Sequence, residues 1–504
     1  MAHPRHASPP CTHGLRMKDS FLMTLGSRLR SVAPAGLALC ILLPAAGSAL
    51  GKQGAARPEA EKPLPTGVVL PQVPEKADPA QTFALYLPSN YSAERRWPVI
   101  YAFDPAGRGE IPVKLLSAPA EKRGYIVMGS NVSHNGPALE ALNAALALWR
   151  DSRARFWIDP RQSYTTGFSG GARSAFAFAD QCGCIQGLIA AGAGLPQLAH
   201  PLQSLSFGVF ITLGTYDFNY PELVALDQQL DALHVPNRLW RFDGEHQWPP
   251  AEVMAEAVDW LQLEAMQQRR RPVDPAFVAD MRARALARAQ AAEKSGEWLR
   301  AYDEYRKAAE EFKGLAETGE FSSHAAALKS SPELHKAEKE EREELARQRR
   351  MVEGIEQNLT SLPSGSFELG QRLDDITPAV AEVREFAMHA KSPRDVRVGR
   401  RVVSELFAAA YEAGLGQMRG GKAQVAELYF QVAAEVQPDA PSPPFELAKA
   451  FTKLGDKKRA LRALESAVAK GLKRASLLTD SPEFEPLQGE PRFQALVKQL
   501  ESRQ

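Results

Sequence analysis

Cysteine is scarce: four in 504 residues, at Cys11, Cys40, Cys182 and Cys184. That count excludes a disulfide-stapled scaffold, and no spacing suggests a metal site. Cys182 and Cys184 stand two positions apart, where a bridge would close a strained loop, so buried free thiols are expected there. An excess of either charge is also missing. Lys and Arg total 61 and Asp and Glu 60. This balance argues against nucleic acid as a partner and against an acidic tail. Long hydrophobic runs are lacking too. The apolar run 32–46 follows Arg28 and Arg30 and precedes Gly47, Ser48 and Ala49. It is too short to span a bilayer comfortably and has the charge, apolar core and small-residue exit of a signal peptide. Residues 1–49 are therefore expected to form an export signal, with Met17 and Met23 as alternative starts. Leu39 before Cys40 is not small, which favours cleavage near Ala49 over lipidation, and an uncleaved anchor is the competing reading. The mature chain is expected to be periplasmic or extracellular without a membrane span. Residues 50–65 are rich in Pro, Gly, Lys and Glu without an apolar period and read as a tether.

What is present is length for two or three domains, and an alternation of strands and helices over 66–268. Strands are expected at 82–87, 98–103, 125–128, 163–168, 188–191, 208–213 and 237–242. Helices are expected at 111–123, 138–153, 222–233 and 251–266, the second with Leu139, Leu142, Leu146 and Trp149 on its buried face. Such alternation implies right-handed crossovers and a mostly parallel sheet covered on both sides, an α/β class.

The chain is organised around 163–172, Ser-Tyr-Thr-Thr-Gly-Phe-Ser-Gly-Gly-Ala. A β-prone run ends in Gly167-Phe168-Ser169-Gly170-Gly171, and a helix-prone run follows. A serine on so sharp a turn is forced towards positive φ, and glycines beside it let strand and helix approach. Two later strands end at Asp217 and at His246. Ligands in open α/β sheets bind at the carboxyl ends of strands, where Ser169, Asp217 and His246 would meet. A serine hydroxyl needs a base, a neutral imidazole serves near pH 7, and a buried carboxylate fixes its tautomer. Ser169 is the candidate nucleophile, His246 the base and Asp217 its orienting acid. The neighbours Phe168, Tyr216, Phe218, Trp240 and Trp248 are aromatic. Phe168 and Tyr216 are candidates for lining an acyl or aryl ester, against the plainer reading of core packing.

Residues 66–268 resemble the α/β-hydrolase superfamily, in the compact esterase branch that holds polyhydroxyalkanoate-depolymerase-like, feruloyl-esterase-like and dienelactone-hydrolase-like enzymes. The approach Asp159-Pro160-Arg161 and the pentapeptide from Gly167 to Gly171 carry the likeness. It implies a serine hydrolase acting on small-molecule or polymer carboxylic esters without a cofactor or metal. It also implies an open cleft, since no long insertion suggests a lid. One stretch departs from the family. Where His-Gly is common, this chain has Phe103-Asp104-Pro105-Ala106-Gly107, and proline has no N–H to give. The oxyanion hole is then expected from the N–H of Gly170 with that of Ala106 or Gly107. Asp104 either touches substrate or caps its turn.

Beyond residue 275 the sequence is helical. Leu447, Ala448, Phe451, Gly455, Ala460, Leu464 and Ala467 recur, about 34 residues earlier, as Ala413, Gly414, Gly421, Ala426, Phe430 and Ala433, with Pro438 following. Gly296, Ala301, Tyr305 and Ala308 fall in the same register. This resembles tetratricopeptide repeats over 401–504, with weaker repeat character over 275–400. Such modules imply a protein or peptide partner, the alternative being a packing role against the first domain. The stretch 333–353 is dominated by charge, and a solvated helix and a flexible connector are both compatible with it. Breaks are expected at 361–366 and 438–444.

Overall fold

The computed structural model describes residues 63–360 and 366–502. The expected signal, most of the tether and most of the break at 361–366 lie outside the described residues. Eight strands form one sheet: β1 (Val69–Pro74), β2 (Thr82–Tyr86), β3 (Trp97–Phe103), β4 (Ile126–Ser130), β5 (Ile158–Phe168), β6 (Gly187–Ala191), β7 (Gly208–Gly214) and β8 (Asn237–Phe242). Their order is β1-β2-β4-β3-β5-β6-β7-β8. β1 and β4 each pair with β2 antiparallel, and from β4 to β8 every pairing is parallel.

Alternation along the strands assigns the two faces. Val99, Tyr101 and Phe103 of β3 join one core with α2 (Ala138–Arg155), α3 (Gly170–Cys182) and α4 (Tyr220–Ala232). Ile100 points the other way, to a core shared with α1 (Glu110–Arg123) and α5 (Ala251–Gln267). Both faces are covered, as parallel strands require.

Three expectations need correction. β1 escapes periodicity because Pro71 and Pro74 interrupt it. It is an edge strand with a register shift between Leu70 and Val73, where missing N–H groups are tolerated. In α2 the buried side is Ala141, Ala144, Ala145, Leu148 and Trp149, and Leu139 is 67% exposed. Of these, Ala145, Leu148 and Trp149 join the core on that face of the sheet. Cys182 and Cys184, expected as free thiols, form a disulfide, the left-handed Gly183 (φ 57°) between them reversing the chain.

The rest of the chain is helical: α6 (Pro275–Lys294), α7 (Trp298–Glu311), α8 (Gly319–Lys329), α9 (Pro332–Thr360), α10 (Ser366–His389), α11 (Pro393–Arg419), α12 (Ala423–Val436), α13 (Ser442–Lys453), α14 (Lys457–Ala469), α15 (Ser476–Thr479) and α16 (Pro491–Glu501). The pairs α6/α7, α11/α12 and α13/α14 pack as helical hairpins, turning at Gly296, Gly421 and Gly455 with φ of 76°, 73° and 77°. Small residues allow the approach. Ala301, Ala426 and Ala460 are fully buried, and a Cβ on Gly414 would come 2.5 Å from the Phe430 ring. The boundary expected between 400 and 401 falls inside α11, which is continuous. The charged stretch 333–353 belongs to α9, a single helix of 29 residues.

Polar contacts weld the helices to the sheet edge. Arg238 of β8 pairs with Glu304 and Glu311 of α7, and Lys307 of α7 meets Asp231 and Asn237. Trp260 Nε1 of α5 donates to Glu311 Oε1 at 2.8 Å. Next to this cluster Glu264 is 4% exposed. Burial, then the neighbouring Glu311, push its carboxyl up to about 7. Between the ordinary carboxylate range and pH 7 the folded chain holds a proton that the unfolded chain has lost. Stability contributed here therefore falls as pH rises through that window. Glu264→Gln keeps an acceptor for Gln268 and removes the charge. It is expected to stabilise the protein at pH 8 by about 2 kcal/mol, and to change little near pH 4.5, where the native carboxyl is already neutral. Thermal midpoints at the two pH values check this; a gain that is the same at both would refute it.

Candidate active site

The chain leaves β5 at Phe168 and enters α3 at Gly170, so Ser169 must turn the backbone alone. It does so at φ 53°, ψ −124°, its N–H held by Ala191 O at 2.8 Å. A left-handed non-glycine residue is strained, and the flanking glycines make the strain tolerable. A Cβ on Gly167 would collide with the backbone of Gly171, and one on Gly171 with Phe103 O. The turn projects the Ser169 hydroxyl above the sheet.

His246 lies in the loop between β8 and α5. Its Nε2 is 2.9 Å from Ser169 Oγ, and its Nδ1 is 2.9 Å from Asp217 Oδ1. The imidazole is wedged between Phe218 and Phe168, ring centroids 4.2 Å and 4.6 Å away. Asp217, after β7, is 1% exposed, and its Oδ1 also accepts the Asn219 N–H at 2.8 Å. The Asp217 and His246 loops are tied together, since Tyr216 N–H donates to Gly244 O and Thr215 N–H to Phe242 O. With Nδ1–H directed at the carboxylate, Nε2 is left as acceptor for the Ser169 hydroxyl. This arrangement can withdraw a proton from the serine and hand it on.

The other expected site residues separate. Gly170 begins α3, where a first-turn N–H has no partner within the helix. The Ala106 N–H is not available as the second donor, because it donates to Asp104 Oδ1 at 2.9 Å. Gly107 N–H is likewise taken by Asp104 O. Asp104 itself has no exposed surface. It accepts from Arg108 Nε and Nη2 and from Trp248 Nε1, at 2.8, 3.1 and 2.9 Å. It is the cap of its turn and does not reach substrate. Phe168 packs behind His246 and against Trp248, while Tyr216 lies under the Arg400 guanidinium, 4.6 Å from it. Neither lines the cleft over Ser169. That position belongs to Phe218.

Two groups near Ser169 carry no sequence motif. The first is Asn135, whose backbone N–H is anchored on Pro105 O at 2.8 Å. Its side-chain amide covers Gly170 so closely that a Cβ there would collide with it. The second is α11. A cleft of about 580 Å³ opens over Ser169, with Glu405, Ala408, Ala409, Glu412 and Arg419 of α11 on one side and Asn135, Ala138 and Ala141 on another. The expectation of an unobstructed site is corrected by this helix. It is fixed to the α/β domain by polar contacts. Arg401 Nε donates to Thr215 O at 2.8 Å with its guanidinium 3.5 Å above the Tyr220 ring. Gln348 of α9 donates to both Phe218 O and Glu405 Oε2, at 3.0 and 2.8 Å. Burial raises the Tyr220 phenol, which keeps its proton and donates it to Glu341 Oε1 at 2.8 Å.

Strand order, serine elbow and strand-end loops are together decisive. The first domain has the α/β-hydrolase fold. No family model matches the sequence, and no curated protein matches it. Solved structures similar to this chain include an S-formylglutathione hydrolase from Staphylococcus aureus, with 15% identity, 39% of this chain and 98% of that one covered, and a TM-score of 0.32. Est1E from Butyrivibrio proteoclasticus shares 15% identity over 39% of this chain and all of its own, with a TM-score of 0.32. An esterase from Pyrobaculum calidifontis shares 16% over 40% and 85%, with a TM-score of 0.30. Within this hydrolase fold, Ser169, His246 and Asp217 sit at the carboxyl ends of β5, β8 and β7.

Proposed function

We propose that this protein is an exported serine hydrolase that cleaves carboxylic esters through an acyl-enzyme, its helical hairpins serving as a repeat-like module that positions the site or a protein partner. One observation carries the reading: the unbroken hydrogen-bonded path Ser169 Oγ, His246 Nε2, His246 Nδ1, Asp217 Oδ1, each link 2.9 Å where measured between residues. In this mechanism Ser169 attacks the ester carbonyl while His246 takes its proton. Asp217 stabilises the imidazolium, and His246 returns the proton to the leaving alcohol. Water then repeats the sequence on the acyl-serine. In this reading the Gly170 N–H serves the oxyanion, and the Asn135 amide, whose Oδ1 lies nearest Gly170, turns to offer its NH₂ as the second donor.

Covalent labelling by a serine-directed phosphonate tests the reading. Labelling of the wild type that disappears in Ser169→Ala, and nearly so in His246→Ala, is the expected result. A folded wild type that takes no label would overturn it. A second reading, a hydrolase-fold platform with little turnover acting through its helices, draws support from the Ala106 N–H being spent on Asp104. It predicts no hydrolysis across an ester panel and co-purification with a stoichiometric partner.

A further inference from the structure

The cleft over Ser169 is closed on one side by a helix that belongs to the other half of the chain. Glu405, Ala408, Ala409, Glu412 and Arg419 recur at steps of three, one, three and seven residues, so one face of α11 looks onto the site. Its placement is constrained at the end nearest the serine. Arg401, 1% exposed, holds the carbonyl of Thr215, two residues before Asp217, and Gln348 bridges Glu405 to the carbonyl of Phe218, one residue after it. A wall bonded to the backbone on both sides of Asp217 cannot swing away without disturbing the loop that orients His246.

We infer that α11 is the substrate-selecting wall of this site: Ala408 and Ala409 set the room for an uncharged, bulky group of a small-molecule ester, and the helix excludes polymer chains. The inference rests on the hydrolase reading above and narrows its substrate class. Ala138 and Ala141 line the same cleft as Ala408 and Ala409, and where these alanines form its surface bulk is limited by methyl groups. The charged members are either engaged, as Arg173 is by Glu222 at 2.8 Å and Glu405 by Gln348, or stand exposed, as Glu412 and Arg419 do. A volume of about 580 Å³ suits a discrete molecule.

The test uses the full chain with Ala408→Trp and Ala409→Trp. The probes are p-nitrophenyl esters of increasing acyl length and acetate esters of increasing alcohol size. In one of the two series, kcat/KM for the long members should fall at least about tenfold further than that for the acetate of the smallest alcohol. Phosphonate labelling of Ser169 should persist. Equal loss on short and long substrates with labelling retained, or no change in either series, would overturn the inference. Both alanines are partly buried, and Ala409→Leu gives a smaller step if a tryptophan variant does not fold. It should shift the length cut-off in the same direction, and an unchanged cut-off counts against the wall. Absence of labelling in the wild type would instead remove the hydrolase reading on which this rests.

Discussion

Replacing Ser169 by alanine is expected to lower ester turnover by about 10⁴-fold or more, and Asp217→Asn by about 10⁴-fold, with the fold intact in both. The serine result follows from removal of the attacking oxygen. The aspartate result is the more discriminating. Asp217 Oδ1 accepts from two groups, His246 Nδ1 at 2.9 Å and the Asn219 N–H at 2.8 Å. An asparagine whose carbonyl takes the place of Oδ1 keeps both bonds but leaves the imidazolium without its counter-charge, and in the opposite orientation its NH₂ faces the imidazole. That NH₂ is a donor, so it selects the tautomer with a bare Nδ1 and a protonated Nε2. Nε2 then points a hydrogen at Ser169 and cannot take its proton. The loss should fall on kcat with KM little changed, because Asp217 is buried and does not border the cleft. Steady-state kinetics on a p-nitrophenyl ester measure both parameters. A loss of less than about tenfold in Asp217→Asn would mean that the carboxylate does not set the tautomer, and that the path through His246 is packing without chemistry.

The fold class is legible in the sequence because most strands from β3 to β8 carry an apolar run bounded by turn residues, and every crossover except that from β6 to β7 carries an α-helix. The meeting of Ser169, Asp217 and His246 is legible for the same reason, since each follows the carboxyl end of a strand. What is hidden is whatever depends on pairing across the two halves of the chain. Glu341 and Glu344 of α9 read as a solvated charged face, yet Glu341 accepts from Tyr220 and Glu344 is 7% exposed beside Arg397 and Arg401. Charged residues announce solvent unless their counter-charges are known, and these counter-charges lie far along the chain. Ala408 and Ala409 carry no motif in the sequence. Only the placement of α11 turns them towards a cleft. Pro71 and Pro74 conceal β1 because proline is rare in strands except at an edge, and edge position is a property of the sheet. Asn135 is concealed in another way: it sits in a loop with no pattern, brought to Gly170 by one hydrogen bond to Pro105 O.

That loop is the basis of the second large expected effect, a fall of about 10²–10³ in kcat for Asn135→Ala with KM within a few-fold of wild type. An oxyanion hole needs donors fixed before charge develops. On the proposed mechanism the first-turn N–H of Gly170 is one; in the Phe103–Gly107 turn Pro105 has none, and those of Ala106 and Gly107 are bound within the turn to Asp104. The same turn supplies a replacement indirectly. The carbonyl of Pro105 holds the Asn135 backbone, and the isolated pairing of Ala106 with His134 fixes the loop alongside it. The side-chain amide is thereby set over Gly170, the position next to the nucleophile that any oxyanion must approach. An amide there can present its NH₂ to the developing charge and adds little to the binding of the uncharged ester, so its loss belongs in kcat. Asn135→Asp is the stricter variant. It preserves size and the backbone anchor while replacing a donor by a negative charge, and should cost at least as much as alanine above pH 6, where the carboxylate is ionised. A structural role for Asn135 would instead lower the thermal midpoint of both variants and spare the turnover of the folded fraction. Measuring kcat alongside the midpoint separates the two, and unchanged kcat in Asn135→Asp would remove this residue from the site.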